Sequence, residues 1–315
     1  LALARSPALC VIMKVVSIAA APPAPVELSA LTKTFGARTA VDGVSFRLAP
    51  GSVTGFLGPN GAGKTTTLRM IGGLIRPSSG WVRVFGQSAR RPAARRELGY
   101  MPADPTFVLN LTGRQNLDLL VGLRGGAAPD RDEVAAALSL PQGDLDLPVR
   151  AFSSGMRQKL AIVAALQHRP ALVVLDEPAN RLDPLAHRAF CGVIRRVARS
   201  GRTVLLSSHV LGEVEEVCDS VILMHAGRLL RVAGVGELRN HASREVTLTY
   251  DSPPAGPPDF LSGAVVTDCV VTGRMPARRP DLLRRLSAEP GLVDLTVEPA
   301  SLEDVFLDMY GRAEG

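Results

Sequence analysis

The chain has few cysteines, few aromatic residues and no long apolar run, and each shortage removes a class of protein. Its four cysteines, Cys10, Cys191, Cys218 and Cys269, are widely separated and form no C-x-x-C. That excludes a disulfide scaffold or a zinc ribbon and reads as reduced packing residues of a cytosolic protein. Aromatic residues make up only 4% of the chain, which argues against a platform on which single-stranded nucleic acid stacks its bases. No stretch reaches the roughly 18–20 apolar residues that a membrane-crossing helix needs. The nearest, residues 8–21, is interrupted by Lys14. With Arg5 ahead of it and small residues behind, it loosely resembles a secretion signal. The chain also opens on Leu1, and Met13-Lys14 offers another start, so residues 1–25 are expected to be disordered or an over-extended reading frame. An acidic excess is lacking too. The net charge of +6 suits nucleotide phosphates, an anionic membrane surface or nucleic acid and selects none of them, since arginine-rich surface helices account for it equally.

What is present is a phosphate-binding loop. Gly58-Pro59-Asn60-Gly61-Ala62-Gly63-Lys64-Thr65-Thr66 satisfies G-x-x-x-x-G-K-[ST] at Gly58, Gly63, Lys64 and Thr65. A β-rich stretch, residues 53–57, precedes it and a helix-compatible one, 66–71, follows, which is the strand–loop–helix context the pattern requires. The glycines admit backbone angles and close approaches that a Cβ would block. Amides of the loop and helix N-terminus then converge on phosphate oxygens. Lys64 adds a point charge for the β- and γ-phosphates, and Thr65 offers its hydroxyl to Mg²⁺. ATP with Mg²⁺ is therefore the expected ligand, which conflicts with an exported protein.

A second element is the apolar run Leu172-Val173-Val174-Leu175 ending in Asp176-Glu177-Pro178. Two carboxylates directly after a buried strand cost too much to be there for packing alone. Asp176 fits the role of holding Mg²⁺, and Glu177 that of polarising the attacking water. The wider pattern is strands alternating with amphipathic helices over residues 26–230, an α/β domain with a largely parallel sheet. Residues 112–123 and 130–140 read as helices of a helical subdomain over about 104–167. After a boundary near 240 come strands at 245–250, 264–271 and 292–297, helices at 281–289 and 302–309, and a proline-rich turn at 251–258. The division predicted is 26–240 as nucleotide-binding domain and 241–315 as a small α+β accessory domain.

The order of motifs resembles that of ABC-type ATPases. The phosphate loop, Phe152-Ser153-Ser154-Gly155-Met156-Arg157-Gln158, the strand ending at Asp176, Asn180-Arg181-Leu182-Asp183-Pro184 and Ser207-Ser208-His209 follow one another as in that family. The resemblance implies a P-loop NTPase fold of the ABC ATPase type. It implies that Phe35 stacks on adenine and that His209 contacts the γ-phosphate. Ser153 and Gly155 would open a helix facing the nucleotide of a second subunit, and Asp183 would lie at that subunit interface. The catalytic set it implies is Glu177, His209 and Lys64. ATP would sit between two subunits, as a homodimer or a heterodimer, and its binding would close the pair.

The chain departs from the family pattern in three places, one of them the signature, which reads Phe152-Ser153-Ser154-Gly155-Met156 where Leu-Ser-Gly-Gly-Gln is common. Ala103 stands where Gln or Glu is usual, and Asp104 beside it would replace that side chain only if the loop shifted by one residue. Met156 closes a signature whose usual form ends in Gln, and Arg181 replaces a usual glycine. The run 301–312 and the stretch 212–219 are similar to bacterial exporter ATPases of the daunorubicin-resistance type. That similarity implies an ATPase peripheral to the cytoplasmic face of the cell membrane. There it would power a separate polytopic permease that exports a drug, antibiotic or lipid-like compound, without a nucleic-acid partner. A regulatory subunit with weak hydrolysis, motivated by Ala103, and a soluble non-transport ABC protein are the alternatives.

Overall fold

This computed structural model describes residues 23–241, 244–275, 282–287 and 289–298. The apolar stretch 8–21 and the tail 301–312, where a helix is expected at 302–309, lie outside the described residues. Strands β3 (Val53–Leu57), β6 (Leu98–Met101), β7 (Leu172–Leu175), β8 (Thr203–Ser208), β9 (Ser220–His225) and β10 (Arg228–Gly234) build the central sheet, in the order β10-β9-β3-β8-β7-β6. All neighbours pair in parallel except β10, which runs against β9. β3, β7 and β8 are buried along their whole length, as strands covered on both faces must be. Alternate residues feed two apolar clusters. Leu57, Val173, Leu175 and Leu206 enter one, and Phe56, Leu172, Val174 and Leu205 the other.

The strand–helix rhythm expected from residue 26 begins only at β3. Strands β1 (Val26–Phe35) and β2 (Arg38–Arg47) form an antiparallel hairpin, and with β4 (Ser79–Val84) and β5 (Gln87–Ser88) a separate sheet in the order β2-β1-β4-β5. The reason is the connection. Gly36, at φ 58°, and Ala37 can turn a hairpin, whereas a parallel pair needs a crossover of a dozen or more residues. Val26, Leu28, Val41 and Val44 of this hairpin pack into the same cluster as Leu68 and Ile71 of helix α1 (Lys64–Ile71).

Between β4 and β6 runs the short helix α2 (Pro92–Arg96). From β6 to β7 the chain makes α3 (Gly113–Arg124), α4 (Arg131–Ala137), α5 (Gln142–Leu145) and α6 (Ser154–Leu166), with no strand among the described residues. α3 opens on a reciprocal cap. The Thr112 hydroxyl accepts the Gln115 amide at 3.1 Å, and the Gln115 side chain accepts the Thr112 amide at 2.9 Å. Helices α7 (Pro184–Arg199) and α8 (Leu211–Val217) pack on the central sheet around Phe190, Ile194, Val214 and Val217.

The remaining elements are α9 (Val235–His241), β11 (Arg244–Tyr250), β12 (Ser262–Thr267), β13 (Val270–Met275), α10 (Leu282–Ser287) and β14 (Leu292–Glu298). The last four strands form an antiparallel sheet, β12-β13-β11-β14, with its own apolar cluster around Val246, Leu248, Phe260 and Val271. The stretch 264–271, expected as one strand, is instead a hairpin corner. Asp268 takes a left-handed φ of 52°, which an Asp tolerates better than the β-branched Val266, Thr267 and Val270 nearby, and the strand breaks there.

Candidate active site

The parallel strands all open their carboxyl ends on one edge, where open α/β sheets place ligands. Register aligns those ends: Leu57 lies beside Ser208, and Leu175 beside Leu206. The residues that leave β3, β7 and β8 are thus delivered together. A cleft of about 580 Å³ forms there, lined by Phe35, Arg38 and Ala40, the loop residues 59–66, Ala103, Glu177, Asn180 and His209.

The loop is shaped by its glycines. Gly63 sits at φ 98°, and a Cβ on it would lie 2.4 Å from the Ala40 carbonyl oxygen, so only glycine fits. Gly63 is also the N-cap of α1 and supplies no side-chain cap. The first-turn amides of Lys64, Thr65 and Thr66 have no intrahelical acceptor, which leaves a positive helix end facing the cleft. Lys64 is only 6% exposed. Its Nζ donates to the Gly58 carbonyl at 2.5 Å and the Pro59 carbonyl at 3.3 Å, and lies 3.8 Å from Glu177 Oε1. Burial pulls its pKa below the usual lysine value, while Glu177 and Asp176 push it back up. The ammonium is therefore held on carbonyls and carboxylates, any of which an incoming phosphate can replace.

Asp176 is fully buried. Its Oδ1 accepts from the Thr65 hydroxyl at 3.2 Å and the Ser207 hydroxyl at 2.7 Å. Its Oδ2 is buried with no hydrogen-bond partner among the described residues. Burial raises its pKa, with the Ser207 and Thr65 hydroxyls opposing that. A buried carboxylate oxygen left unpaired beside a threonine hydroxyl is what a hard divalent cation would complete. Glu177 follows at φ 51°, a left-handed conformation that a non-glycine residue adopts at a cost. Its amide donates to Ser207 Oγ at 2.9 Å, and its Oε2 lies 2.7 Å from Nδ1 of His209. Phe35 is 52% exposed, so it is no core phenylalanine, and Lys33 Nζ stands 4.9 Å from its ring centre.

Ser153, Gly155 and Asp183 do not line this cleft. The Ser153 hydroxyl caps α6 by accepting the Met156 amide at 3.1 Å, and Asp183 caps α7 by accepting the Ala186 amide at 2.8 Å. That bond holds the Asp183 pKa below the usual carboxylate range. A Cβ on Gly155 would lie 3.2 Å from the Arg181 carbonyl oxygen, so the α6 N-terminus and the loop before α7 run close together. Ala103 does line the cleft, whereas Asp104 turns away and pairs with Arg181 at 3.0 Å. The loop has therefore not shifted by one residue, and Asp104 does not stand in for the usual side chain. Arg181 holds φ 70°, the left-handed region that a glycine there would enter freely.

Sequence reasoning passed over Ser207 as a ligand of Asp176 and Gln158 as a tie. Gln158 is buried, and its amide nitrogen donates to the carbonyls of Glu177 at 3.2 Å and Pro178 at 2.9 Å. A polar residue on the buried face of an otherwise apolar helix was the available signal. Arg38, in the hairpin beside Phe35, carried none.

Comparison with known proteins agrees with this geometry. The family model for ABC transporters matches residues 41–180. The bacitracin transport ATP-binding protein BcrA of Bacillus licheniformis is 34% identical over 300 residues, covering 91% of this chain and 97% of that protein. The Nod factor export ATP-binding protein I of Paraburkholderia xenovorans is 33% identical over 306 residues, covering 92% and 98%. The solved structure of an ATP-binding subunit of an ABC transporter superposes with a TM-score of 0.64 at 30% identity, covering 68% of this chain and 91% of that one. The fold of a dimeric ATP-binding cassette bound to ADP and Pi is also shared, with a TM-score of 0.61 at 23% identity, covering 67% of this chain and 98% of that one.

Proposed function

Since the chain belongs to the ATP-binding proteins of ABC transporters and is an ABC ATPase, we propose that it powers a separate polytopic permease from the cytoplasmic face of the membrane, exporting a drug, antibiotic or lipid-like compound. The export reading is supported by relatives that cover almost their whole length and are named for bacitracin transport and Nod factor export. The ATPase chemistry rests on one observation: Lys64, Asp176, Glu177 and His209, from three separate segments, meet at the mouth of the phosphate loop.

In this reading the loop amides and Lys64 take the phosphates, exchanging the Gly58 and Pro59 carbonyls for phosphate oxygens. Thr65 and Asp176 would hold Mg²⁺, which supplies charge neutralisation at the phosphate oxygens. Glu177 accepts the proton of the attacking water, and His209, held on Glu177 Oε2, reaches toward the γ-phosphate. Phe35 stacks on the base. Ser153, Gly155 and Asp183, placed outside the cleft at helix N-termini, serve the site of a second subunit, identical or different. Among the described residues no helix is long and apolar enough to cross a membrane, and in this reading the permease supplies the spans. A groove of about 290 Å³ lined by Phe107, Val108, Leu119 and Leu120 supports docking of an apolar helical segment of that permease, since Val108 and Leu119 stand about half exposed beside it. Residues 241–315 are read as an accessory domain of the same subunit. A regulatory subunit with weak turnover is the second reading, favoured by Ala103 in the cleft wall.

The test is affinity capture of the tagged full chain from detergent-solubilised membranes of its own host. A polytopic membrane protein is expected at about equal amount. Recovery of the chain alone, still hydrolysing ATP, would refute the permease reading and leave the ATPase standing.

A further inference from the structure

We propose that the protein binds a zinc-class cation between α7 and α8, on His187, Cys191 and Glu216. One nitrogen, sulfur or carboxylate oxygen from each of the three comes within 4.8 Å of the other two. Cys191 Sγ lies 4.0 Å from His187 Nδ1, and Glu216 Oε2 lies 3.9 Å from the same nitrogen. Ligands of a tetrahedral zinc, at bond lengths of about 2.0–2.3 Å, stand roughly 3.3–3.6 Å apart. Two sides of the triangle are therefore about half an ångström longer than ligand spacing, and the third, between Cys191 and Glu216, is no longer than 4.8 Å. None of them lines the nucleotide cleft.

The spacing has a structural origin. His187 and Cys191 are four residues apart on α7 and so share a face. That face meets α8, which supplies Glu216 and, one turn earlier, Glu213. Cys191 is 1% exposed, while His187 and Glu216 are 20% and 39% exposed, which gives a buried thiol with an entry path from solvent.

Each carboxylate is held from behind. Glu216 uses Oε1 toward Arg195, at 3.7 Å, and presents Oε2 to the imidazole. Glu213 accepts the Ser208 hydroxyl on Oε2 at 2.8 Å and presents Oε1 to His187 Nε2 at 4.0 Å. Cys191 Sγ lies 3.8 Å from Nε2 as well, and once the cation takes Nδ1, Glu213 Oε1 is the carboxylate within reach to become the outer partner of Nε2–H. Imidazole, thiolate and a single carboxylate select zinc, or cobalt as its probe, over the oxygen-seeking Mg²⁺ and Ca²⁺. The fourth position is left to water.

The site also touches the machinery. The His187 amide donates to the Asp183 carbonyl at 2.8 Å, so the cation would sit one turn into the helix that Asp183 caps. Ser208, which holds Glu213, immediately precedes His209. A cation here ties the helix after His209 to the helix after Asp183.

The test is Co²⁺ titration of the chelator-stripped full-length chain, read by the near-ultraviolet thiolate-to-cobalt band, with Zn²⁺ competition. One equivalent per chain is expected, with the band lost in Cys191→Ser and kept in Cys10→Ser, Cys218→Ser and Cys269→Ser. Glu216→Gln, at a solvent-facing position that does not threaten folding, should weaken affinity about 10- to 100-fold, and Glu213→Gln by a similar factor. Absence of stoichiometric binding, a band that survives Cys191→Ser, or unchanged affinity in Glu216→Gln overturns the proposal. Each outcome is independent of the permease reading.

Discussion

Replacing Glu177 by Gln keeps the shape of the side chain and removes its charge and its proton-accepting oxygen. The structure gives each carboxylate oxygen a partner, His209 Nδ1 at 2.7 Å from Oε2 and Lys64 Nζ at 3.8 Å from Oε1, so the carboxylate is fixed beside the phosphate loop. An aligned general base contributes about 10²–10⁴-fold, which corresponds to roughly 2.7–5.5 kcal/mol of barrier. Loss of the acceptor should lower kcat by that factor. Nucleotide affinity should hold or rise, because a negative charge facing the incoming phosphates disappears along with the base. Lys64, already pulled down by burial, loses one of the two carboxylates that support its charge and becomes more dependent on the phosphates. The assay has two arms: phosphate release under single-turnover conditions, and size-exclusion chromatography with ATP, in which a persistent dimer is expected. Turnover within about threefold of the unsubstituted chain, at unchanged affinity, removes Glu177 from the catalytic assignment.

Ala103→Gln tests the reading of the cleft wall. The unsubstituted chain is expected to hydrolyse ATP in a single turnover, and a rate that appears only in the variant would hand the site to the regulatory reading. Phe35→Ala, at a half-exposed ring, should weaken ATP by about 1–3 kcal/mol, the range found for base-on-aromatic stacking, and leave tripolyphosphate binding unchanged in calorimetry. Equal loss for both ligands would mean the ring does not touch the base. His168 gives a pH dependence. Burial, with Arg124 beside it, pushes its pKa down to about 4, so the folded protein keeps the ring neutral while the unfolded chain protonates near 6.5. Stability is complete above the unfolded value and falls between about pH 6.5 and 4, by roughly 2 kcal/mol once partial exposure is allowed for. His168→Gln should flatten that slope in urea titrations, and a slope identical to that of the parent chain would exclude the residue as its source.

Much of this protein is written locally. The loop 58–66 declares itself because its conformation depends on adjacent residues: glycines that free the backbone, and a helix that begins directly after them. The runs at 53–57, 172–175 and 203–208 reveal buried parallel strands because both of their faces must be apolar. The chemical inventory of the site, with Lys64, Thr65, Asp176, Glu177 and His209, was legible for the same reason, since each stands directly after such a strand or in its loop. What the chain order does not state is who meets whom. The strand order β3-β8-β7 puts Ser207 on Asp176 and His209 on Glu177, although about thirty residues separate each pair. Asp104 goes to Arg181 rather than into the cleft because of a pairing across 77 residues that neither neighbourhood announces. The antiparallel start at β1 and β2, the corner at Asp268 and the meeting of His187, Cys191 and Glu216 belong to the same class. Local sequence determines backbone conformation and the chemical groups on offer; only packing, which decides the sheet order and the helix facing each strand, determines which of those groups come within bonding distance.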